Sequence, residues 1–140
     1  MLNTVLVDAG PLIALFDRND KYHKKICNFL SEGRYRFVST HAILTEVSYM
    51  LGFSIDVQID FFSWILKKGV VLCDIVQSDI SRVIELIQKY SDCPMDFADA
   101  TLVIAAEKTG IKKIISIDSD FDIYRLPGKE RIKNIFDGNG

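Results

Sequence analysis

Cysteine is scarce in this chain: Cys27, Cys73 and Cys93 lie far apart and form no C-x-x-C pair. An odd, scattered set excludes a disulfide framework and a zinc knuckle, and it leads one to expect a reducing compartment, the cytoplasm. Histidine is rarer still, with only His23 and His41, neither of which has a convincing partner near it in sequence. Long apolar runs are also missing. Uncharged stretches such as residues 47–55 reach only nine residues, well short of the ~20 needed to span a bilayer. The apolar triplet Val5-Leu6-Val7 is cut off by Asp8 before the core of a secretory signal is reached, so a soluble protein without a signal is expected. Nor does one sign of charge dominate. Seventeen Lys and Arg against nineteen Asp and Glu leave a net charge of −2, which excludes a surface that is basic throughout and leaves room only for a local basic patch.

What is present suits one globular domain: 140 residues, 49% hydrophobic and 26% charged. A chain of this length buries roughly two thirds of its unfolded surface, so it needs no staple to fold, and any metal would serve chemistry. The domain is expected over residues 1–137, with 138–140 as a frayed, disordered tail.

Residues 4–7 form a short apolar run closed by Asp8-Ala9-Gly10-Pro11, which reads as a buried strand of a parallel sheet ending in a turn. A short helix with Pro near its first turn is expected over 12–16, and a second, capped by Asp20, to about Leu30. Residues 35–39 read as a strand. Thr40 is placed to cap a helix carrying Ile43, Leu44, Val47, Met50 and Leu51 inward up to Gly52. A helix over 56–68 is expected to turn Ile59, Phe61, Phe62, Ile65 and Leu66 inward, with Gly69 stopping it before a strand at 70–73. A helix at 79–90 follows, and Pro94 breaks the pattern. Residues 96–109 read as a helix whose middle, 100–106, is apolar all round and therefore buried. Strands at 113–117 and 131–136 complete the chain. Repeated strand-then-helix order predicts an α/β fold with a doubly wound, mostly parallel sheet.

In such sheets ligands bind at the carboxyl ends of the strands, where strand order switches. Asp8 and Asp118 both follow apolar strands and are expected at neighbouring strand ends. Asp96 and Asp99 are three apart on the first turn of the buried helix, where the dipole favours anions. Glu46 lies at the edge of an inward helical face and needs a partner. No basic cluster adjoins these acids, so a hard divalent ion is the simplest neutraliser. Setting four acids aside leaves 15 acidic against 17 basic residues, a slightly positive surface around an acidic pocket, which suits a polyanionic substrate.

Plainer roles compete with each of these. Asp8 can be a turn former, Asp96 a helix cap, and Asp120 and Asp122 a solvated acidic turn, while Glu46 can pair with a distant Lys or Arg. Arg18, Lys21, Lys24 and Lys25 suit either a phosphate backbone or a solvated helix face. Trp64, Phe61 and Phe62 are expected in the core, and His23 and the cysteines are read as structural.

Four segments in order, Val5-Leu6-Val7-Asp8-Ala9-Gly10-Pro11-Leu12-Ile13-Ala14-Leu15, Leu44-Thr45-Glu46-Val47, Asp96-Phe97-Ala98-Asp99-Ala100-Thr101-Leu102 and Ile115-Ser116-Ile117-Asp118-Ser119-Asp120-Phe121, together resemble the PIN-domain family. These are metal-dependent ribonucleases that include the VapC-like toxins of toxin–antitoxin pairs. The resemblance implies a three-layer α/β/α fold, Mg²⁺ or Mn²⁺ as cofactor and RNA as substrate. A cognate antitoxin and a second copy of the chain are its candidate protein partners. It implies a catalytic set of Asp8, Glu46, Asp99 and Asp118, with Asp8, Asp99 and Asp118 holding metal and Glu46 and Asp96 as further candidate ligands. Glu46 is either a ligand or the acceptor of the water proton. Ser116 falls where many members carry a hydroxyl that supports the site. Gly10 departs from the pattern, since many members have Ser, Thr or Asn there. A PIN-like RNA- or protein-binding module without cleavage is the alternative. A phosphoacceptor receiver domain needs an acidic pair after the first strand, and Asp8 stands alone.

Overall fold

The computed structural model describes residues 2–93 and 95–136; Pro94 and the expected tail at 138–140 lie outside the described residues. Strands β1 (Asn3–Val7), β2 (Tyr35–Ser39), β3 (Val70–Leu72), β4 (Lys113–Ile115) and β5 (Lys133–Asn134) form one sheet in the order β3-β2-β1-β4-β5, with every pairing parallel. The chain steps outward on one side through β1, β2 and β3, then crosses back to β4 and β5 on the other. Right-handed crossovers in opposite directions put helices on both faces. This is the expected doubly wound α/β/α arrangement, and its switch point falls between β1 and β4.

Among the described residues six α-helices connect the strands: α1 (Ala9–Phe16), α2 (His23–Ser31), α3 (His41–Met50), α4 (Ile55–Leu66), α5 (Ile80–Lys89) and α6 (Phe97–Thr109). The core is built from β1, whose Val5 and Leu6 are fully buried, and from α6, where Ala100 to Ala106 are buried on all sides. An all-apolar helix of this kind is stable only when sheet and helices enclose it. Gly110 ends α6 in the left-handed conformation, φ 77°, the usual task of a glycine at that position. Gly69 follows α4 because a β-carbon there would fall 2.1 Å from the Trp64 ring.

Several local expectations are corrected. The first helix starts at Ala9 rather than Leu12, because Asp8 caps it. Asp20 does not cap α2, which begins at His23 after Tyr22; the Asp20 carboxylate instead accepts from the Tyr22 N–H at 2.8 Å, closing a turn. Thr40 precedes α3 without a capping bond, and its hydroxyl meets that of Thr101 at 2.8 Å in a buried pair joining β2 to α6. Met50 and, on α4, Ile59, Phe62 and Leu66 point outward, Leu66 at 83% exposure. Phe61 alone of the α4 residues is fully buried, and Trp64 packs against Phe16 beside it. Strand β4 ends at Ile115, β3 at Leu72 and β5 spans two residues, all shorter than expected.

Candidate active site

Asp8 leaves β1 directly. Its backbone N–H still donates to the Ile115 carbonyl of β4 at 3.1 Å, so the strand pairing itself fixes the residue. One carboxylate oxygen then accepts from the Ala9 N–H at 2.8 Å and caps α1, while the other accepts from the Ser116 hydroxyl at 2.9 Å. Turn former and pocket residue are thus the same side chain. Ser116 is buried just past β4, and its Oγ also accepts from the Asp118 N–H at 3.2 Å, which sets the bend that carries Asp118. Asn134 holds this bend from the edge of the sheet: its side chain accepts from the Ser116 N–H at 3.2 Å and donates to the Ser116 carbonyl at 2.9 Å.

On the opposite wall, Asp96 caps α6 by accepting from the Asp99 N–H at 2.8 Å. Asp99, one turn in, accepts from the buried Tyr124 hydroxyl at 3.1 Å. Asp8, Asp96, Asp99 and Asp118, together with Glu46 of α3 and Asp120, line one open pocket of about 390 Å³. Ala9, Gly10, Ile13 and Met95 complete its wall, and among the described residues no Lys, Arg or His lines it. The pocket opens at the carboxyl ends of adjacent parallel strands and receives the amino ends of α1 and α6, as the topology dictates.

The electrostatics follow from crowding and burial. Burial first, and the charges of Asp118 and Glu46 second, raise the Asp8 carboxyl to about 6 against the pull of its two hydrogen bonds. Asp99 rises to about 7, again chiefly through burial, then through Asp96 and Asp8. Burial also raises Glu46, helped by Asp96 and Asp118, and raises Asp120, helped by Asp118 and Asp96. The Tyr124 phenol is pushed up by burial and by the Asp99 carboxylate it touches. A pocket of like charges with no internal counter-charge favours a cation.

Every acid singled out in the sequence therefore reaches the same pocket, and so does Asp120, which sequence reasoning assigned to a solvated turn. Asp122 does remain exposed, 3.9 Å from Arg131. Tyr124 was missed altogether, because nothing in a local pattern distinguishes a tyrosine whose hydroxyl meets a helix 25 residues away. None of Arg18, Lys21, Lys24 and Lys25 lines the pocket; Lys21 and Lys25 lie over the Tyr22 ring. His23 meets the Ala14 carbonyl through Nδ1 at 2.7 Å, a structural contact. Gly10 has a steric reason: a β-carbon there would lie 3.3 Å from Ile117 Cδ1.

The donor set is chemically uniform. All candidate ligands are carboxylate oxygens, which suits hard divalent ions. Among the described residues no group of three acids converges as a preformed ion cage would. Mg²⁺ does not require one, since it is typically bound by one or two carboxylates and keeps several waters.

A family model described as PIN domain matches residues 5–126. Among solved structures, the chain is similar to that of VapC20 of Mycobacterium tuberculosis, described as a sarcin-ricin loop cleaving toxin. The TM-score is 0.76 with 17% identity, covering 85% of this chain and 93% of that one. At that identity the likeness is one of fold. No curated protein matches the sequence.

Proposed function

The chain belongs to the PIN-domain family, and from that premise we propose that it is a metal-dependent endoribonuclease that hydrolyses RNA phosphodiester bonds. The observation that carries the reading is the pocket of six carboxylates without a basic lining residue at the switch point of the sheet. Asp8, Asp99 and Asp118 would hold Mg²⁺ or Mn²⁺ directly or through water, with Asp96 and Asp120 at the rim. The ion, when bound, lowers the pKa of a water and offsets charge on phosphate oxygens. Burial and the Ala9 and Ser116 bonds keep the Asp8 carboxylate in one orientation, which lowers the reorganisation needed at the moment of reaction. Glu46 lines the pocket from α3, with its carboxyl pushed up by partial burial and by Asp96 and Asp118. A carboxylate of raised basicity facing the pocket suits it to accept the proton of the attacking water.

The physiological role that fits best is that of a toxin restrained by a cognate antitoxin, in keeping with the likeness to a toxin of the same fold. A protein partner is also supported by exposed apolar side chains on α3, α4 and the turn between them, where Tyr49, Phe53, Ile55 and Leu66 are each more than half exposed. Large apolar side chains left exposed along one stretch of chain suit a protein interface. No helix among the described residues is long and apolar enough to cross a membrane.

The test is cleavage of a mixed-sequence RNA by purified protein. Cleavage is expected with Mg²⁺ or Mn²⁺, weakly with Ca²⁺, whose larger radius and looser geometry suit in-line displacement poorly, and not at all in excess EDTA. Undiminished cleavage in EDTA would overturn the metal mechanism. RNA binding without cleavage in any metal would favour a binding module.

A further inference from the structure

Tyr124 is completely buried, yet its hydroxyl donates at 3.1 Å to Asp99 Oδ2 in the pocket wall. A tyrosine inside a core costs more than phenylalanine would unless its hydroxyl finds a partner, and here the partner is a pocket acid. The ring is fixed from two sides. Phe121 meets it edge-on with centroids 5.2 Å apart, and Tyr90 does so at 5.1 Å. The Tyr90 hydroxyl in turn accepts from the Arg125 N–H at 2.8 Å, tying down the backbone beside Tyr124. The phenol is therefore aimed by packing, and Asp99 is oriented by it.

The connection matters because of what it joins. Asp99 stands on the first turn of α6, whereas Tyr124 closes the segment after β4 that carries Asp118 and Asp120. One hydrogen bond thus links the two walls of the acidic pocket. A carboxylate has about four lone-pair sites, so one phenol bond leaves Asp99 ample capacity for a cation.

We propose that Tyr124 is a positioning residue of this pocket: its hydroxyl holds the Asp99 carboxylate in the orientation in which it binds a divalent cation together with acids of the β4–β5 segment. This rests on the metal-site reading of the preceding section. Groups that orient a ligand from behind typically contribute 10–100-fold to metal affinity or activity.

The experiment is a Mn²⁺ titration followed by electron paramagnetic resonance, without RNA, on wild type, Tyr124→Phe, Asp99→Asn and the Tyr124→Phe/Asp99→Asn double variant. Tyr124→Phe keeps the ring and its packing, so its fold should persist. It is expected to bind Mn²⁺ on the order of tenfold more weakly. It should also cleave RNA with a lowered kcat and a KM close to wild type. In the Asp99→Asn background, loss of the Tyr124 hydroxyl should have no further effect on Mn²⁺ affinity. Wild-type affinity in Tyr124→Phe or full additivity in the double variant would each overturn the proposal. Absence of Mn²⁺ binding in the wild type would instead remove the metal reading itself, and this inference with it.

Discussion

The Ser116 hydroxyl donates to the Asp8 carboxylate at 2.9 Å across 108 residues of chain, and both side chains are buried. The bond spans the ends of adjacent strands β1 and β4, so the sheet register that aligns Val7 with Ile115 also delivers the hydroxyl to the acid. A buried carboxylate at about 6 is already poorly solvated, which gives this bond weight beyond an ordinary side-chain contact.

Ser116→Ala leaves Asp8 with its Ala9 bond alone among those described. The variant should lose about 1–3 kcal/mol of stability at pH 8, the usual cost of stranding a buried acceptor. The lost bond favours the charged form, so the Asp8 carboxyl should move further up from about 6. The deficit should therefore shrink as pH falls toward 5 and Asp8 takes a proton. Urea unfolding at pH 5 and pH 8 measures the difference; an equal deficit at both would place the loss on the Asp118 N–H contact instead.

Asp99→Asn tests the crowding of the pocket. The folded pKa of Asp99 is raised to about 7 from 3.8. Its ionisation therefore opposes folding, with a penalty that is absent below about pH 4, grows as pH rises to 7 and is then constant. Metal-free Asp99→Asn should be more stable than wild type at pH 8 by on the order of 1 kcal/mol, after allowance for partial exposure, with the advantage vanishing near pH 4. It should gain less stability from Mg²⁺, since ligand stabilisation follows affinity. Thermal melts in EDTA and in Mg²⁺ provide both readings. A variant less stable than wild type in EDTA with an unchanged Mg²⁺ response would leave Asp99 a purely structural helix residue.

Asp120 and Asp122 are two residues apart and face different surroundings. Asp120→Asn should weaken Mn²⁺ binding several-fold, because it removes one of the few carboxylates at the rim. Asp122→Asn should leave binding unchanged and stability within about 0.5 kcal/mol, given its long, exposed contact with Arg131. Equal effects in calorimetric Mn²⁺ titrations would contradict this division.

Gly10 and Ile117 should show energetic coupling. In the first turn of α1, alanine is worth roughly 0.5–1 kcal/mol over glycine through backbone entropy. In the wild type that gain is opposed by the 3.3 Å approach to Ile117 Cδ1. Gly10→Ala should therefore be close to neutral alone and stabilising once Ile117→Val has removed that methyl group. A double-mutant cycle by urea unfolding reads the coupling.

The strand and helix order was legible because each element advertises itself locally. Val5-Leu6-Val7 reads as a buried parallel strand and residues 100–106 as a buried helix, since neither leaves a polar face for water. Less legible was direction within a half-buried helix. On α4 the apolar residues outnumber what one face can bury, so composition could not say that Phe61 faces the core while Ile59, Phe62 and Leu66 face outward. Only the neighbouring helices settle which face is covered.

The pocket divides in the same way. Asp8, Asp99 and Asp118 could be singled out from sequence because each stands where an apolar run meets an element boundary, and such a boundary in an α/β sheet lies at the open edge. Asp120 could not be separated from Asp122, because two acids in one short turn are chemically alike until the turn is wound and only one of them faces inward. Ser116 was anticipated only through resemblance. Tyr124 gave no signal. The sequence by itself determined the order of elements and the acids at their ends, since periodicity and capping act over a few residues. The tertiary structure decided the strand order β3-β2-β1-β4-β5, the outward apolar face and the bonds from Ser116 to Asp8 and from Tyr124 to Asp99, because each depends on packing between segments that share no local pattern.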